Sequence, residues 1–247
     1  MAFVAKLNRV LIIVLTALCA AVPLRAEASY AIHVNLYEAF PEAPKGVFAS
    51  FHPKMGTPTL GDASEQGYIK DAVSHIEALP VASLEVSASA GKITRIPVAY
   101  FSYGKASRLD IEIIPFPKDG HIALDAQILM DGNEFLHAST AAVPGKLVVL
   151  GGGAKDKRKF VLALRVAESK IAPTAVPNLK TPARWPVYPE ASRAAGKETS
   201  LLLTMAGTHY DVAGNMRVDT LQETMATVKT WGDGVAFVHF RAGKVAP

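Results

Sequence analysis

The sequence predicts a mainly β protein that ends in a small α+β region. Apolar and polar residues alternate along much of residues 32–166, which is the pattern of strands with one buried face. Asp-Gly pairs at residues 119–120 and 131–132 separate the alternating runs and are typical of hairpin turns. A stretch rich in proline follows at residues 171–188, and strand and helix patterns are mixed beyond it. These observations together predict two β-containing domains joined by a linker.

The N-terminus has the three parts of an export signal. Lys6 and Arg9 supply positive charge, residues 10–22 are apolar, and residues 26–28 give the small-x-small pattern of a cleavage site. As a helix, the apolar run reaches about 20 Å, short of the roughly 30 Å hydrocarbon core of a bilayer. We therefore expect residues 1–28 to be removed and the mature protein to be periplasmic, with no stable membrane span. An uncleaved anchor is the alternative.

Composition limits the classes of function. The chain is 50% hydrophobic and 19% charged, which suits a packed globular protein rather than a disordered one. Its one cysteine, Cys19, lies inside the signal, so the mature chain has no disulfide, cysteine metal site or cysteine nucleophile. The formal net charge of +4 falls to +2 when Lys6, Arg9, Arg25 and Glu27 leave with the signal. So small an excess argues against nucleic acid as a partner.

Residues 29–170 are expected to fold as strands joined by short turns. The strands predicted from alternation and turn residues are 84–86, 93–103, 109–113, 122–130, 147–150 and 160–166. The glycines at 151–153 and the charged residues at 154–159 are expected at a hairpin tip. Residues 69–79 form the one helix predicted in this region, because apolar residues recur there at close to helical spacing.

Short helices and strands are predicted to alternate in residues 189–247. Pro189 and Glu190 suit the first turn of a helix, and Gly196 suits its C-terminal cap. The elements predicted to follow are a long strand at 199–212, a turn at 213–215, a partner strand at 216–221, a helix at 222–231 and a last strand at 235–240.

Residues 84–166 follow a recognisable order. They contain a strand, the turn Ala-Gly-Lys, a strand ending in aromatic residues, and the runs Leu-Asp-Ile-Glu-Ile-Ile-Pro, Lys-Asp-Gly-His-Ile-Ala-Leu and Val-Pro-Gly-Lys-Leu-Val-Val-Leu-Gly-Gly. This order resembles part of the conserved domain of bacterial secretins, whose strands contribute to a ring-shaped outer-membrane pore. Here the charged residues 155–159 follow the glycines, where secretins continue into a membrane-inserting hairpin, and such a tip is costly in a bilayer. The resemblance therefore implies a secretin-like β domain without the pore-forming segment.

Residues 184–247 resemble the C-terminal domain of TonB-like proteins. That family's pattern is a Tyr-Pro pair, a short helix, a glycine, two strands around a turn, and a helix with a late tryptophan. The positions that fit are Tyr188, Pro189, Ala191, Gly196, Asp211, Gly214 and Trp231. Residues 205–209 lengthen the first strand relative to the pattern, and Gly-Asp-Gly follows the tryptophan in place of the usual ending. The resemblance implies a small α+β domain that acts near envelope transport or secretion.

The predicted segments are the signal (1–28), a secretin-like β domain (29–170), a proline-rich linker (171–188) and a TonB-like α+β domain (189–247). We expect a non-enzymatic periplasmic interaction or scaffold component, linked to envelope transport or secretion. Its partners would be envelope proteins, such as an outer-membrane or secretion component. The candidate partner-binding residues are the aromatic residues Trp185, Tyr188, Trp231, Phe237 and Phe240. For Trp185 and Tyr188, packing onto the C-terminal domain is the alternative.

The histidines and serines form no recognisable catalytic or metal-binding motif. The seven histidines show neither the i,i+4 helical pair nor the His-x-His strand pair of metal ligands. Nor does any serine lie in a Gly-x-Ser-x-Gly elbow. We therefore predict no catalytic residue, no metal site and no cofactor. His209 and Asp211, two apart on a predicted strand, are expected to share a face.

Two other functions remain open. A periplasmic enzyme could have a dispersed site around His121, Asp125 or His137, and a pocket that gathers two of these with a perturbed carboxylate would favour it. A β module that binds a small apolar molecule or a glycan would show a deep cavity within residues 32–166. A flat, open sheet edge near residues 235–240 with no cavity would instead favour the interaction hypothesis, because a partner's strand could add to that edge.

Overall fold

The computed structural model describes residues 28–55, 58, 65, 67–69, 71, 77–155, 158–173, 175 and 178–243, and of residues 152–158 only the backbone. The predicted signal therefore lies outside the described residues, apart from Ala28. The same holds for residues 72–76 of the predicted helix and for residues 156–157 of the predicted hairpin tip.

Strands make up most of the described chain. They are β1 Ser29–Phe40, β2 Lys45–His52, β3 Glu77–Ser89, β4 Thr94–Ser102, β5 Lys105–Lys118, β6 His121–Met130, β7 Asn133–Ala142, β8 Leu147–Lys155, β9 Arg158–Ser169, β10 Thr199–Ala206, β11 His209–Gly214 and β12 Gly234–Ala242. The C-terminal region also contains helices α1 Glu190–Ala194 and α2 Val218–Val228. Residues 65, 67–69 and 71 are helical as well.

The strands form two antiparallel sheets packed against each other. The four-stranded sheet has the order β3-β1-β9-β8, and the eight-stranded sheet has the order β11-β10-β12-β2-β4-β5-β6-β7. The tight turn between β5 and β6 falls at the predicted Asp-Gly pair, where Gly120 has a φ of 75° that favours glycine. The predicted fold class, mainly β with an α+β region, is confirmed.

The main core lies between the two sheets. Alternate side chains of β1, β3 and β9 meet those of β4, β5 and β6 there, as the period of two predicts. Its completely buried members include Ile32, Leu84, Ile96, Ile111 and Leu164. Burying a side chain of this size contributes about 1.5–3 kcal/mol relative to an exposed position. This packing is the principal contribution to the stability of the sandwich.

A second core covers the opposite face of the eight-stranded sheet. Phe51 from β2, Leu201 from β10 and Phe240 from β12 are buried there together with Val228 and Trp231 at the end of α2. The α2 helix therefore covers the middle of this face, over strands from both ends of the chain.

The two predicted domains are continuous in the structure. β12 lies between β10 and β2, and its pairing with β2 runs from Val235↔His52 to Ala242↔Lys45. Without β12, one backbone edge of β2 would be unpaired and one apolar face would be exposed. β12 pairs with that edge, and the helix before β12 covers that face. The predicted linker therefore separates stretches of sequence that share one sheet.

The proline-rich segment is held against the sheets. The hydroxyls of Ser29 and Ser87 donate to the Ile171 carbonyl at 3.1 and 2.9 Å. Near the other end of the segment, the indole N–H of Trp231 donates to the Arg184 carbonyl at 3.0 Å. Because both ends are bonded to the sandwich, this segment does not act as a spacer between separate bodies.

Two predicted strands of the C-terminal region are wrong, and one predicted helix is correct only in part. The strand predicted at 199–212 is the hairpin of β10 and β11, which turns at Gly207 with a φ of 57°. The strand predicted at 216–221 is largely the first turn of α2, so the helix also begins earlier than the predicted 222–231. The helix itself was predicted, but its first turn was missed because the buried residue there is Thr220 rather than an apolar side chain.

Other predicted elements are confirmed in whole or in part. α1 ends just before Gly196, and residues 235–240 lie within β12. All six strands predicted in residues 29–170 are present. The helix predicted at 69–79 is correct for Ile69 and Asp71, but the chain is a strand from Glu77 onward.

Candidate functional site

A cleft lies beside α1, at the end of the seam between β2 and β12. Its volume is about 930 Å³. Its walls come from the start of β2, the end of β12, the turn between β4 and β5, the segment before α1, and α1 itself. The lining residues include Lys45, Val47, Phe101, Val187, Tyr188, Glu190, Arg193, Ala194 and Arg241. We name this space the α1 cleft.

The cleft exists because α1 is short. Pro189 precedes its first turn with a φ of −57°, which is preorganised for helix entry. After five residues the helix ends at Gly196, whose φ of 60° allows the Lys197 amide to donate back to the Ser192 carbonyl at 2.9 Å. A helix of this length leaves the end of the sheet uncovered, and the uncovered end is the floor of the cleft.

Stacked aromatic rings fix the apolar wall. Phe101 lies parallel to Trp185, with ring centroids 5.4 Å apart, and Trp185 meets Trp231 edge to face at 5.0 Å. Tyr188 packs on Phe240 at 5.3 Å. Burial raises the pKa of the Tyr188 hydroxyl, which remains protonated and donates to a backbone carbonyl at 2.7 Å. The wall is therefore preorganised.

Arg241 closes one end of the cleft within a network of polar groups. Its guanidinium contacts the carboxylate of Glu77 at 2.7 Å and that of Glu198 at 3.4 Å. It also donates to the hydroxyl oxygen of Ser200 at 3.1 Å. Two carboxylates thus offset the charge of this largely buried arginine, which fixes its position.

The network continues to a buried histidine. Nδ1 of His239 lies 3.0 Å from the Ser200 hydroxyl, and Nε2 lies 3.0 Å from the Pro80 carbonyl. Because a carbonyl only accepts, Nε2 carries the proton and Nδ1 accepts from the serine. Burial, and next the charge of Arg241, lower the pKa of His239 to about 3. The ring is therefore neutral near neutral pH, and it links β12 to the edge of β3.

A second cleft of about 600 Å³ lies between α1 and α2. Val187, Tyr188, Glu190 and Arg193 line both spaces, so the two adjoin. Asp219 belongs to the second one, and the hydroxyl of a neighbouring serine donates to its carboxylate, which lowers the pKa of that group. We name this space the α1–α2 cleft.

The five aromatic residues predicted to bind a partner lie mostly in the interior. Trp231, Phe237, Phe240 and Tyr188 are buried, and Trp185 is half-buried. Of the five, Tyr188 is the one that lines the α1 cleft. The alternative, packing onto the C-terminal core, describes the positions of Trp185 and Tyr188, and a partner would meet the wall that these rings support.

Two of the three residues considered for a dispersed enzyme site come together. Nε2 of His137 lies 2.8 Å from Oδ1 of Asp125, and the Ser139 hydroxyl donates to the same oxygen at 2.9 Å. Both partners therefore share the carboxylate, and the serine is not bonded to the histidine as a nucleophile is to its base. The group lies on the exposed face of β6 and β7, and His121 is exposed beside the Asp119 carbonyl.

Other predicted surface features can also be located. His209 and Asp211 share a face, as predicted, with 3.1 Å between Nε2 and Oδ1, and both are exposed. They belong to β11, which is the open edge of the eight-stranded sheet, whereas β12 is paired on both sides. The expectation of an open edge at residues 235–240 is therefore wrong by two strands.

Neither a metal-binding cluster nor a membrane-spanning helix is found among the described residues. No group of three or more His, Cys, Asp or Glu side chains in the described part of the chain is arranged to hold a metal ion. Within the same residues, no helix has the length and apolar character needed to cross a membrane.

Comparison of this chain with protein-family models, curated proteins and solved structures finds no match. The secretin-like and TonB-like resemblances therefore stay predictions.

Proposed function

We propose that this chain is an exported, non-enzymatic binding protein that holds a segment of another cell-envelope protein in the α1 cleft. The observation that supports this most directly is the adjoining arrangement of the α1 cleft and the α1–α2 cleft around four shared residues. Two adjoining spaces on the surface suit an extended chain, which advances about 3.3 Å per residue. A scaffold role in envelope transport or secretion is consistent with such a site.

The chemistry of the walls also supports binding rather than catalysis. The α1 cleft combines apolar side chains such as Val47 and Phe101 with charged groups at its rim. Val187, between the two clefts, is 61% exposed, although a valine of a folded protein is usually covered. Apolar surface with a charged rim is the composition of a surface that contacts another protein.

A small-ligand module is the second candidate. The volume of about 930 Å³ also falls in the range of sites for small molecules, roughly 300–1,000 Å³. The cavity expected for this function was within residues 32–166, whereas much of the observed wall comes from residues 186–196. The two candidates differ in whether the occupant is a macromolecule, which can be tested directly.

The test is site-specific photocrosslinking in the envelope of the producing cell. A photoreactive amino acid replaces Val187 in the cleft or, as a control, Val143, which is exposed on the loop between β7 and β8. We expect an adduct with an envelope protein from position 187 and not from position 143. The variant Ala194→Trp, which fills the α1 cleft from its wall, should abolish that adduct.

The matched control is Ala141→Trp, at an exposed position of β7 that does not line the cleft. Circular dichroism and thermal unfolding of both variants show that the fold is retained. Adducts that form equally at both positions, or that survive Ala194→Trp, would contradict the proposal. Thermal stabilisation by a low-mass extract, without any protein adduct, would favour the small-ligand candidate.

A further inference from the structure

Charged groups on the wall of the α1 cleft are unbalanced. Lys45, Arg193 and Arg241 line it, whereas Glu190 is the one acidic side chain among its described lining residues. The two carboxylates that pair with Arg241 belong to residues outside this lining. Because these carboxylates offset Arg241, the balance of the wall rests on Lys45 and Arg193 against Glu190, which is positive.

Two of these cations are exposed at the wall of the cleft. Lys45, at the start of β2, and Arg193, on α1, are exposed. Neither makes an ion pair with any residue in the described part of the chain. They stand on different walls of the same cleft, one on the sheet and one on the helix, so both contribute positive potential to the space between these walls.

Apolar surface lies beside these cations. Val47 follows Lys45 on the same face of β2, and Phe101 is held in place by its stacking on Trp185. An occupant that satisfies the whole wall therefore carries an apolar group next to its negative charge.

The α1–α2 cleft has the opposite balance. Asp219 and Glu190 line it against the single cation Arg193, and its third carboxylate, Glu223, is paired with Arg184. A carboxylate is therefore favoured in the α1 cleft and disfavoured in its neighbour, which places the acidic residue at one end of the groove.

We infer that the α1 cleft selects an acidic segment of its polypeptide partner, with a carboxylate between Lys45 and Arg193 and an apolar side chain against Phe101. This inference rests on the proposed function and adds the chemistry of the partner. Exposed charge pairs contribute modestly, so these cations set selectivity and association rate more than total affinity.

The experiment measures binding of labelled peptides to the purified protein by fluorescence anisotropy. The probes are three short peptides in which leucine alternates with glutamate, glutamine or lysine. We expect the glutamate peptide to bind best and to weaken with added salt. Lys45→Gln or Arg193→Gln should each reduce its affinity about threefold, and the double variant about tenfold. Lys118→Gln, which removes an exposed lysine at the far end of β5, is the matched control and should have no effect.

The outcomes separate this inference from the proposed function. Equal affinity for the glutamate and glutamine peptides, or no effect of the double variant, overturns the selection of carboxylates. If Ala194→Trp still abolishes peptide binding in that case, the proposed function stands. If Lys45 and Arg193 are required for binding to phosphatidylglycerol vesicles and not to the peptides, the acidic-peptide inference is also overturned.

Discussion

At the residue scale, two buried histidines fasten β3 to the eight-stranded sheet. His239 donates to the Pro80 carbonyl, as described above. His52 accepts from the Ser83 amide at 3.4 Å through Nε2, and its Nδ1 donates to the Pro53 carbonyl at 2.8 Å. Burial lowers the pKa of His52 to about 4, against the smaller opposing effect of that carbonyl. Both rings function as neutral hydrogen-bonding groups.

These pKa values predict loss of stability in acid. They are about 4 for His52 and about 3 for His239, below the 6.5 of an unfolded chain, so the unfolded state takes up more protons below pH 6.5. The stabilisation is complete above that pH and is lost as the pH falls toward the folded values. We expect each histidine to reduce the free energy of unfolding by about 2 kcal/mol between pH 6.5 and about pH 5, as measured with urea.

A pair of variants assigns this effect. His239→Gln keeps a donor for the Pro80 carbonyl but does not titrate, so about half of the acid-dependent loss should disappear. His121→Gln, at an exposed position beside a backbone carbonyl, should leave most of the loss in place. A free energy of unfolding that stays constant over this pH range would refute the buried, neutral state of both rings.

The sequence does not distinguish these two histidines from the other five. His52 and His239 lie on alternating strands among apolar neighbours, but their partners are backbone groups of β3, which only the packing of the sheets brings near. The sequence therefore shows that the histidines lack metal-ligand spacing, but not that two of them bind β3 to the eight-stranded sheet.

At the element scale, α2 shows where apolar periodicity fails. Its buried threonines satisfy their hydroxyls within the helix: Thr224 donates to the Thr220 carbonyl at 2.7 Å and Thr227 to the Glu223 carbonyl at 3.0 Å. Polar residues can therefore occupy a core-facing stripe that a hydropathy pattern does not detect. The strands were predictable because their buried residues are aliphatic and alternate.

The start of β12 is packed too closely to accept a side chain. A Cβ added at Gly234 would lie 2.6 Å from the His52 carbonyl oxygen and 2.3 Å from Cε2 of Phe51. The ring could turn, but the carbonyl belongs to the paired backbone of β2. We expect Gly234→Ala to lower the free energy of unfolding by about 2–3 kcal/mol, measured by urea denaturation.

Gly67 provides the control, because a Cβ there meets nothing within 4 Å and the residue is helical. Gly67→Ala should stabilise the protein by about 0.5–1 kcal/mol through helix propensity. Equal effects of the two substitutions would mean that β12 and β2 are not in this close contact.

At the scale of the whole molecule, the pairing of β2 with β12 predicts that the two halves depend on each other. The fragments 29–170 and 189–247 correspond to the domains predicted from sequence. We expect the second fragment alone to show no cooperative unfolding, because its core lacks Phe51 and its sheet lacks β2. Calorimetry and proton NMR of each fragment, and of the two mixed, measure this.

Mixing the fragments should restore a cooperative transition if the seam forms between separate chains. Cooperative unfolding of fragment 189–247 by itself would instead support the independent domain that the sequence predicts.

The candidate site could not be predicted for a related reason. Lys45, Phe101, Val187 and Arg241 come from four distant parts of the chain and form one cleft through the pairing of β2 with β12. The aromatic residues near the prolines lie beside this cleft, but aromatic side chains are as often core as surface, so their types alone did not indicate a cleft. The pairing of β2 with β12, which brings these residues together, could not be predicted from the sequence.

The location of β12 also has a consequence for the order of assembly. β12, the last strand of the described chain, lies inside its sheet between β10 and β2. The strands on its two sides therefore cannot join until the C-terminal region has been synthesised. Such long-range pairing slows folding and delays formation of the complete sandwich. If residues 1–28 act as the export signal that the sequence predicts, late completion is an advantage, because the translocation channel is then not blocked by a finished sandwich.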